Sequence, residues 1–428
     1  MEILTTPLEK RINMKKTVYL FYLTVLLPAV VFSQDSLVPA KKSEQSVEFL
    51  FDGFINSNAI TNDFIKSYYQ GKFLDDEIKG KVSDGLNFQN RLGGEIKSGL
   101  TYSYHSLEGN KKPIFSFSFF DREHLNLSFS KDLFDLVFYG NKMFEGDTAK
   151  LWNFRANLMH YEQFRFGWKW EGDASHGSYG AAFSLLSGDK NIFLDGSTAG
   201  LYTAPDGTYL TLPLRMDVFQ TDTAKTKYFS QNGMGLSADL FYEMPYVFWK
   251  KPARITFAIS DLGFIRWNNN ALHYAVDTFY TFNGITIDDL VHLDSNAFSS
   301  SNTNNIIDRN AKIERGFYNR YIPCTLDIHT KTLYGKTFAV EKGFKYYFNT
   351  SAFPYFYFKF YFNFGRTQNI HVAYITGYGG FGKFNAGLET NFDFAKHYSI
   401  ALADNYLFSG IAQTAYGMGL YLKLVRKF

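Results

Sequence analysis

The chain has 428 residues, with 44 basic against 41 acidic side chains and a formal net charge of +3, a balance that excludes a nucleic-acid-binding surface or a polybasic membrane helix as its main feature. Phe, Trp and Tyr make up 19% of it while mean hydropathy is only -0.20, which argues against both a helical membrane bundle and an ordinary soluble domain. The single cysteine, Cys324, excludes an intramolecular disulfide, and no metal-ligand or cofactor spacing occurs, so no cofactor is expected.

The first segment is predicted to be an address. Met14, Lys15 and Lys16 give a positive start, Val18 to Phe32 an apolar stretch, and Val31-Phe32-Ser33 a small-residue cleavage pattern before Gln34. Residues 1–33 are therefore expected to form a signal peptide, with 1–13 an upstream start-codon choice. Residues 34–85 are expected to be an N-terminal plug or periplasmic docking segment. Within it, Thr61 or Asn62 suits a helix cap, Ile60, Phe64, Ile65, Tyr68 and Tyr69 share a helical face, and Gly71 suits a helix stop.

From residue 86 onward the apolar period becomes two. Phe115, Phe117 and Phe119, then Leu125, Leu127 and Phe129, read as two strands with Asp121-Arg122-Glu123 as the turn between them. Further strands follow around Phe164 to Trp170, Ser178 to Leu185, Thr211 to Asp217 and Met234 to Glu243. The clearest is Tyr355 to Phe364, where Phe356, Phe358, Phe360, Phe362 and Phe364 alternate with Tyr357, Lys359, Tyr361 and Asn363. Phe384 to Phe394 and Gly417 to Phe428 repeat it. Runs of about ten residues match the length of a tilted membrane strand, and alternation gives one lipid-facing and one polar face.

The fold expected is all-β: a closed antiparallel transmembrane barrel of about 14 to 16 strands over residues 86–428. Reading connections back from Phe428 assigns Leu407 to Thr414, Asn349 to Pro354 and Arg266 to Ile322 to the outside of the cell. The 266–322 connection is the longest, and its aromatic content predicts that it folds. Its Asp- and Asn-rich stretch, 294–310, lacks calcium-loop spacing. In Thr337 to Phe348 the lipid-facing parity includes Lys342, which a bulge at Gly343 would re-aim; an offset of the strand toward an interface is the alternative. The inward parity carries Arg165, Lys169, Arg215, Asp217, Asp239, Glu243, Glu341, Lys345, Lys359, Glu389, Asp393 and Lys423 as lumen-lining residues of mixed sign. Phe428 is expected to be the C-terminal signal read by the barrel-assembly machinery.

Leu136 to Leu151, Ala182 to Lys190, Ser260 to Trp267, Phe282 to Leu290 and Asn58 to Lys79 resemble an uncharacterised outer-membrane barrel family of Bacteroidota, a domain of unknown function. More distantly, Asp261-Leu262-Gly263-Phe264 and Gly233-Met234-Gly235-Leu236 are similar to the long-chain fatty-acid transporter barrels and to secretion-associated barrels of the same phylum. The Asn-Pro-Ala hatch motif of the transporters has no counterpart here, since no Asn-Pro occurs. The resemblance implies an outer-membrane location with lipid as its surroundings. Two functions follow as expectations: a gated or plugged channel for a small hydrophobic or amphipathic solute, or a scaffold that docks a secretion, gliding or surface-assembly complex. A hydrolase is not expected, because His160, His176, His273, His292, His329, His371 and His397 are scattered and no Gly-x-Ser-x-Gly occurs.

Overall fold

The computed structural model describes residues 43–106, 113–172, 175–222, 228–282, 311–364, 369–394, 397–407 and 415–428. The expected signal peptide and the 294–310 stretch lie outside them. Three α-helices and nineteen strands are found among the described residues. The strands are β1 (Ser43–Ser57), β2 (Gln89–Ser106), β3 (Pro113–Ser130), β4 (Thr148–Lys150), β5 (Phe154–Trp170), β6 (Ser178–Thr203), β7 (Leu210–Gln220), β8 (Gly233–Phe248), β9 (Lys251–Trp267) and β10 (Leu272–Phe282). They continue with β11 (Ala311–Arg315), β12 (Tyr318–Tyr321), β13 (Cys324–Leu333), β14 (Phe338–Phe348), β15 (Phe353–Phe364), β16 (Ile370–Gly380), β17 (Phe384–Phe394), β18 (Tyr398–Asp404) and β19 (Gly417–Lys427). The helices are α1 (Asn62–Tyr69), α2 (Asp76–Gly85) and α3 (Lys131–Tyr139).

Fourteen strands close into one antiparallel ring, β1-β2-β3-β5-β6-β8-β9 followed by β13 to β19, and β19 returns to β1 with Ser46 opposite Lys427 and Asn56 opposite Gly417. Closure satisfies every strand edge, which is what a sheet needs where water is absent. Aromatic side chains stand on the outside: Phe356 and Phe358 are 58% and 49% exposed, whereas Tyr357 between them is 6% exposed. The outer face is thus apolar and the inner face polar, as the alternation predicts.

The end of the barrel bearing Phe428 is here called proximal and the opposite end distal. Proximal connections are short. Trp249 and Lys250 join β8 to β9 with φ of 45° and 62°, both left-handed, as a two-residue hairpin turn of type I′ requires. The distal connections that follow β1, β3, β6 and β9 are long and carry all three helices, the asymmetry usual in outer-membrane barrels, whereas β14 to β15 and β16 to β17 are joined by tight distal turns. β7, β10 and β11 extend sideways from the distal half of β6, β4 pairs with the end of β6, and β12 pairs with the end of β9. The 266–322 connection therefore folds, in its described part, as sheet.

Several expectations are corrected. Residues 34–85 do not form a separate N-terminal plug in their described part, because Ser43–Ser57 is a ring strand paired on both sides. Its Val47, Phe49 and Phe51 alternate with Glu48, Leu50 and Asp52, the period of the later strands. α1 is capped as expected, with Thr61 Oγ1 accepting from Phe64 N at 3.3 Å, but it lies between two ring strands at the distal end. There Ile60, Phe64, Val82, Phe129 and Phe134 pack the helices together, while Tyr68 and Tyr69 are exposed. Asp121-Arg122-Glu123 is not a turn: β3 runs through it for 18 residues, because three charged residues still obey the two-residue period, with Arg122 inward. The register through Gly343 is unbroken on both sides. Lys342 is outside and opposite Phe358 in mid-strand, with its ammonium 4.6 Å from the Phe248 ring, the last residue of β8 at the proximal rim, so the reach of the side chain, rather than a bulge or an offset of the strand, carries the charge toward the interface.

Candidate functional site: the barrel interior

The interior has two unlike halves. Between β2 and β9 it is filled by a network centred on Arg122, whose guanidinium donates to Glu95 Oε1 at 2.5 Å and to Asp261 Oδ2 at 2.7 Å. Gln163 Oε1 accepts from Arg122 at 3.1 Å, and Gln163 Nε2 donates to Asp261 Oδ1 at 2.9 Å. The chain of contacts continues as Asp261 N donates to Asp239 Oδ1 at 2.6 Å and Arg165 Nε to Asp239 Oδ2 at 2.5 Å. A backbone irregularity positions Asp261. Ala238 pairs with Leu262 but Leu240 with Ile259, so Ser260 and Asp261 together oppose Asp239, and Asp261 has φ 62°. This bulge switches the outward parity of β9 from Phe257 below it to Leu262 and Phe264 above it, and turns Asp261 toward Arg122.

Between β13 and β1 the interior is open enough to hold a cavity of about 460 Å³. Tyr347, Tyr355, Tyr357, Tyr406 and Tyr421 supply its aromatic walls. Gly343 lies opposite Tyr357 across β14 and β15, and a Cβ there would collide with the phenol ring, so the glycine lets the ring lie flat and keeps the space clear. Tyr357 OH contacts Asp327 Oδ1 at 3.3 Å and Glu341 Oε1 at 3.2 Å, Tyr361 OH donates to Glu341 Oε2 at 2.7 Å, Lys345 pairs with Asp327 at 3.4 Å and Lys359 with Glu389 at 2.6 Å.

Inward-folded turns roof this half on the distal side. Arg91 of β2 donates to the carbonyls of Gly380 and Gly382, each at 2.9 Å, and its guanidinium lies 3.9 Å from the Phe353 ring. Phe381 of the same turn packs onto Gly93 of β2, where a Cβ would overlap its ring. Ser351, in the turn between β14 and β15, donates from its hydroxyl to Asn126 Oδ1 at 2.7 Å, a contact between strands on opposite sides of the ring.

Most of the residues expected to line the lumen are brought together. Arg165, Asp239, Glu341, Lys345, Lys359 and Glu389 belong to the two assemblies above. Lys169 lies 3.3 Å from Glu171, Glu243 accepts from Arg254 at 2.5 Å, Asp393 lies 3.6 Å from His371, and Lys423 pairs with Glu48 at 3.1 Å. Arg215 and Asp217 are not lumen residues. They stand exposed on β7, outside the ring, with Asp217 bonded to His273 at 2.8 Å; alternation alone does not tell a lumen from open solvent. The sequence reading missed Asp52, Arg91, Glu95, Lys97, Arg122 and Asp261. The first five lie ahead of the first aromatic strand at Phe115 or inside the charged run 121–123, where no aromatic alternation marks an inner face. The parity break between Phe257 and Phe264 was the available signal for Asp261. His160 lies between Asp121 at 2.7 Å and Asp189 at 3.6 Å, and His124 meets Tyr161 OH at 3.1 Å and Glu95 at 3.8 Å.

Residues 48–404 match the model of the Family of unknown function (DUF5723), and the chain belongs to that family. No curated protein matches the sequence. Among solved structures it is similar to the TodX deltaS2S3 mutant monoaromatic hydrocarbon channel, at 10% identity over 91% of this chain and 90% of that one, TM-score 0.44. It is also similar to the P. putida toluene transporter TodX, at 9% identity over 91% and 89%, TM-score 0.39. A Pseudomonas aeruginosa FadL homologue matches at 9% identity over 91% and 90%, TM-score 0.37.

Proposed function

We propose that this member of DUF5723 is an outer-membrane channel that admits a small amphipathic solute and is closed at rest by its own side chains and turns. The distal end faces outside the cell, and the C-terminal strand ending at Phe428 is what the barrel-assembly machinery reads. The observation that carries this is the cavity of about 460 Å³ within a closed ring. Tyrosine rings offer apolar faces with polar edges, and charges of both signs surround them, a lining suited to a solute with an apolar body and a polar group. Rings of a single charge sign, which select ions in open pores, are replaced by paired charges.

A solute entering from the distal end would meet the contacts of Arg91 with Gly380 and Gly382 first. These are few and reversible, a suitable construction for a gate. Planar-bilayer recording on the full chain tests this: the wild type is expected to conduct rarely, and Arg91→Ala to open at least tenfold more often. Equal and continuous conductance of both proteins would overturn the closed-channel reading.

The docking reading is favoured by one feature. Tyr68, Tyr69 and Phe73, all exposed on and beside α1, form an apolar edge at the distal end, where a protein of a surface-assembly complex would find it.

A further inference from the structure

We propose that the solute held in the tyrosine-walled cavity carries a positive charge, an amine or ammonium group, and that Asp52 is the group that recognises it. This rests on the channel reading and names the class of solute. The cavity is lined by four carboxylates, Asp52, Asp327, Glu341 and Glu389, against two ammonium groups, Lys345 and Lys359, and one imidazole, His329. Three of the carboxylates are engaged. Asp327 takes Lys345, His329 and Tyr357, Glu341 takes two phenols, and Glu389 takes Lys359 and Asn391.

Asp52 stands apart: among the described residues no hydrogen bond or ion pair reaches its carboxylate. Two ammonium groups are candidates, and both are turned elsewhere: Lys97, opposite it across β1 and β2, sits 4.3 Å from the Phe120 ring, and Lys345 of the cavity wall pairs with Asp327. On its other flank Asp52 faces Tyr421 of β19, and both line the cavity. A half-buried carboxylate left without a partner is costly, and a cation beside it restores the balance. The tyrosines strengthen the choice, since ring faces attract cations, and more strongly out of water. An anionic solute would meet the excess of carboxylates.

The test is calorimetric titration of the full chain in non-ionic detergent with three probes of one size: 2-phenylethylamine, 2-phenylethanol and phenylacetate. The amine is expected to bind at least tenfold more tightly than the other two. Asp52→Asn is expected to abolish that preference while keeping the binding of the alcohol. Correct folding of the variant is checked by its heat-modifiable migration on gels, and Asp52→Glu is expected to restore at least part of the preference. Equal binding of amine and alcohol by the wild type, or a preference that survives in Asp52→Asn, overturns the assignment of charge and leaves the channel reading in place. Failure of all three probes to bind, together with no conductance from Arg91→Ala, overturns both.

Discussion

Arg122 is the residue on which the filled half of the interior depends. Its side chain is almost fully buried and meets the carboxylates of both Glu95 and Asp261. Taking three charges out of water costs several kcal/mol per ion before they attract one another, so such a triad adds little net stability as a whole. Removing one member is different, because the others are left buried and uncompensated, at a cost of about 3 to 5 kcal/mol. Arg122→Ala is therefore expected to lower the stability of the folded barrel by that amount in urea titration of vesicle-bound protein. Arg122→Ala combined with Glu95→Gln and Asp261→Asn is expected to recover most of the loss. A single variant as stable as the wild type would show that the network is solvated. The sequence held Arg122 in plain view but between two acids, where charge suggested a turn; only the uninterrupted period of β3 distinguishes the two.

At the scale of an element, a strand is legible when both of its faces have distinct solvents. β15 is the example, because Phe and polar residues alternate without a break over Tyr355 to Phe364, and its outward phenylalanines are exposed. β7 alternates equally well and is not in the ring, since a sheet standing in water outside a barrel also has two faces. β9 was only half legible: its bulge shifts the phase at Asp261. The N-terminal helix was read correctly from its cap, but sequence position suggested a plug ahead of the barrel, whereas pairing of β1 with β19 makes it a distal connection. Depth in the membrane separates two further residues. A charge at the midplane of a barrel's outer face costs about 2 to 4 kcal/mol, falling to about 0 to 1 near an interface. Phe358→Lys, in the middle of β15, is expected to lose the larger amount in the same urea titration, and Phe394→Lys, exposed at the proximal end of β17, to cost less than about 1 kcal/mol. Comparable effects at the two positions would move the membrane boundary.

For the whole molecule, closure and occupancy have different causes. Closure comes from pairing: fourteen strands leave no ring edge open, and β1 meets β19 over eleven residue pairs. Occupancy comes from side-chain size and from turns folded inward, with Phe381 over Gly93 and Arg91 bonded to the turn that carries it. Period-two patterning specifies the first, because it needs only the identity of alternate residues. It is silent on the second, which joins strands far apart in the sequence, such as Ser351 to Asn126. The cavity and its unpaired carboxylate are for that reason properties of the assembled ring.

The claim beneath all of this is that alternate side chains of one strand meet hydrocarbon and the barrel interior, and it is tested by placing single spin labels at positions 356 to 361 of β15. Cys324, the only cysteine, is first changed to serine, and the labelled proteins are reconstituted in vesicles. Accessibility to oxygen, which concentrates in lipid, is then compared with accessibility to a water-soluble nickel chelate. The barrel described here gives high oxygen accessibility at 356, 358 and 360 and low values at 357, 359 and 361. An accessibility profile without that two-residue period, or with the two sets exchanged, contradicts it.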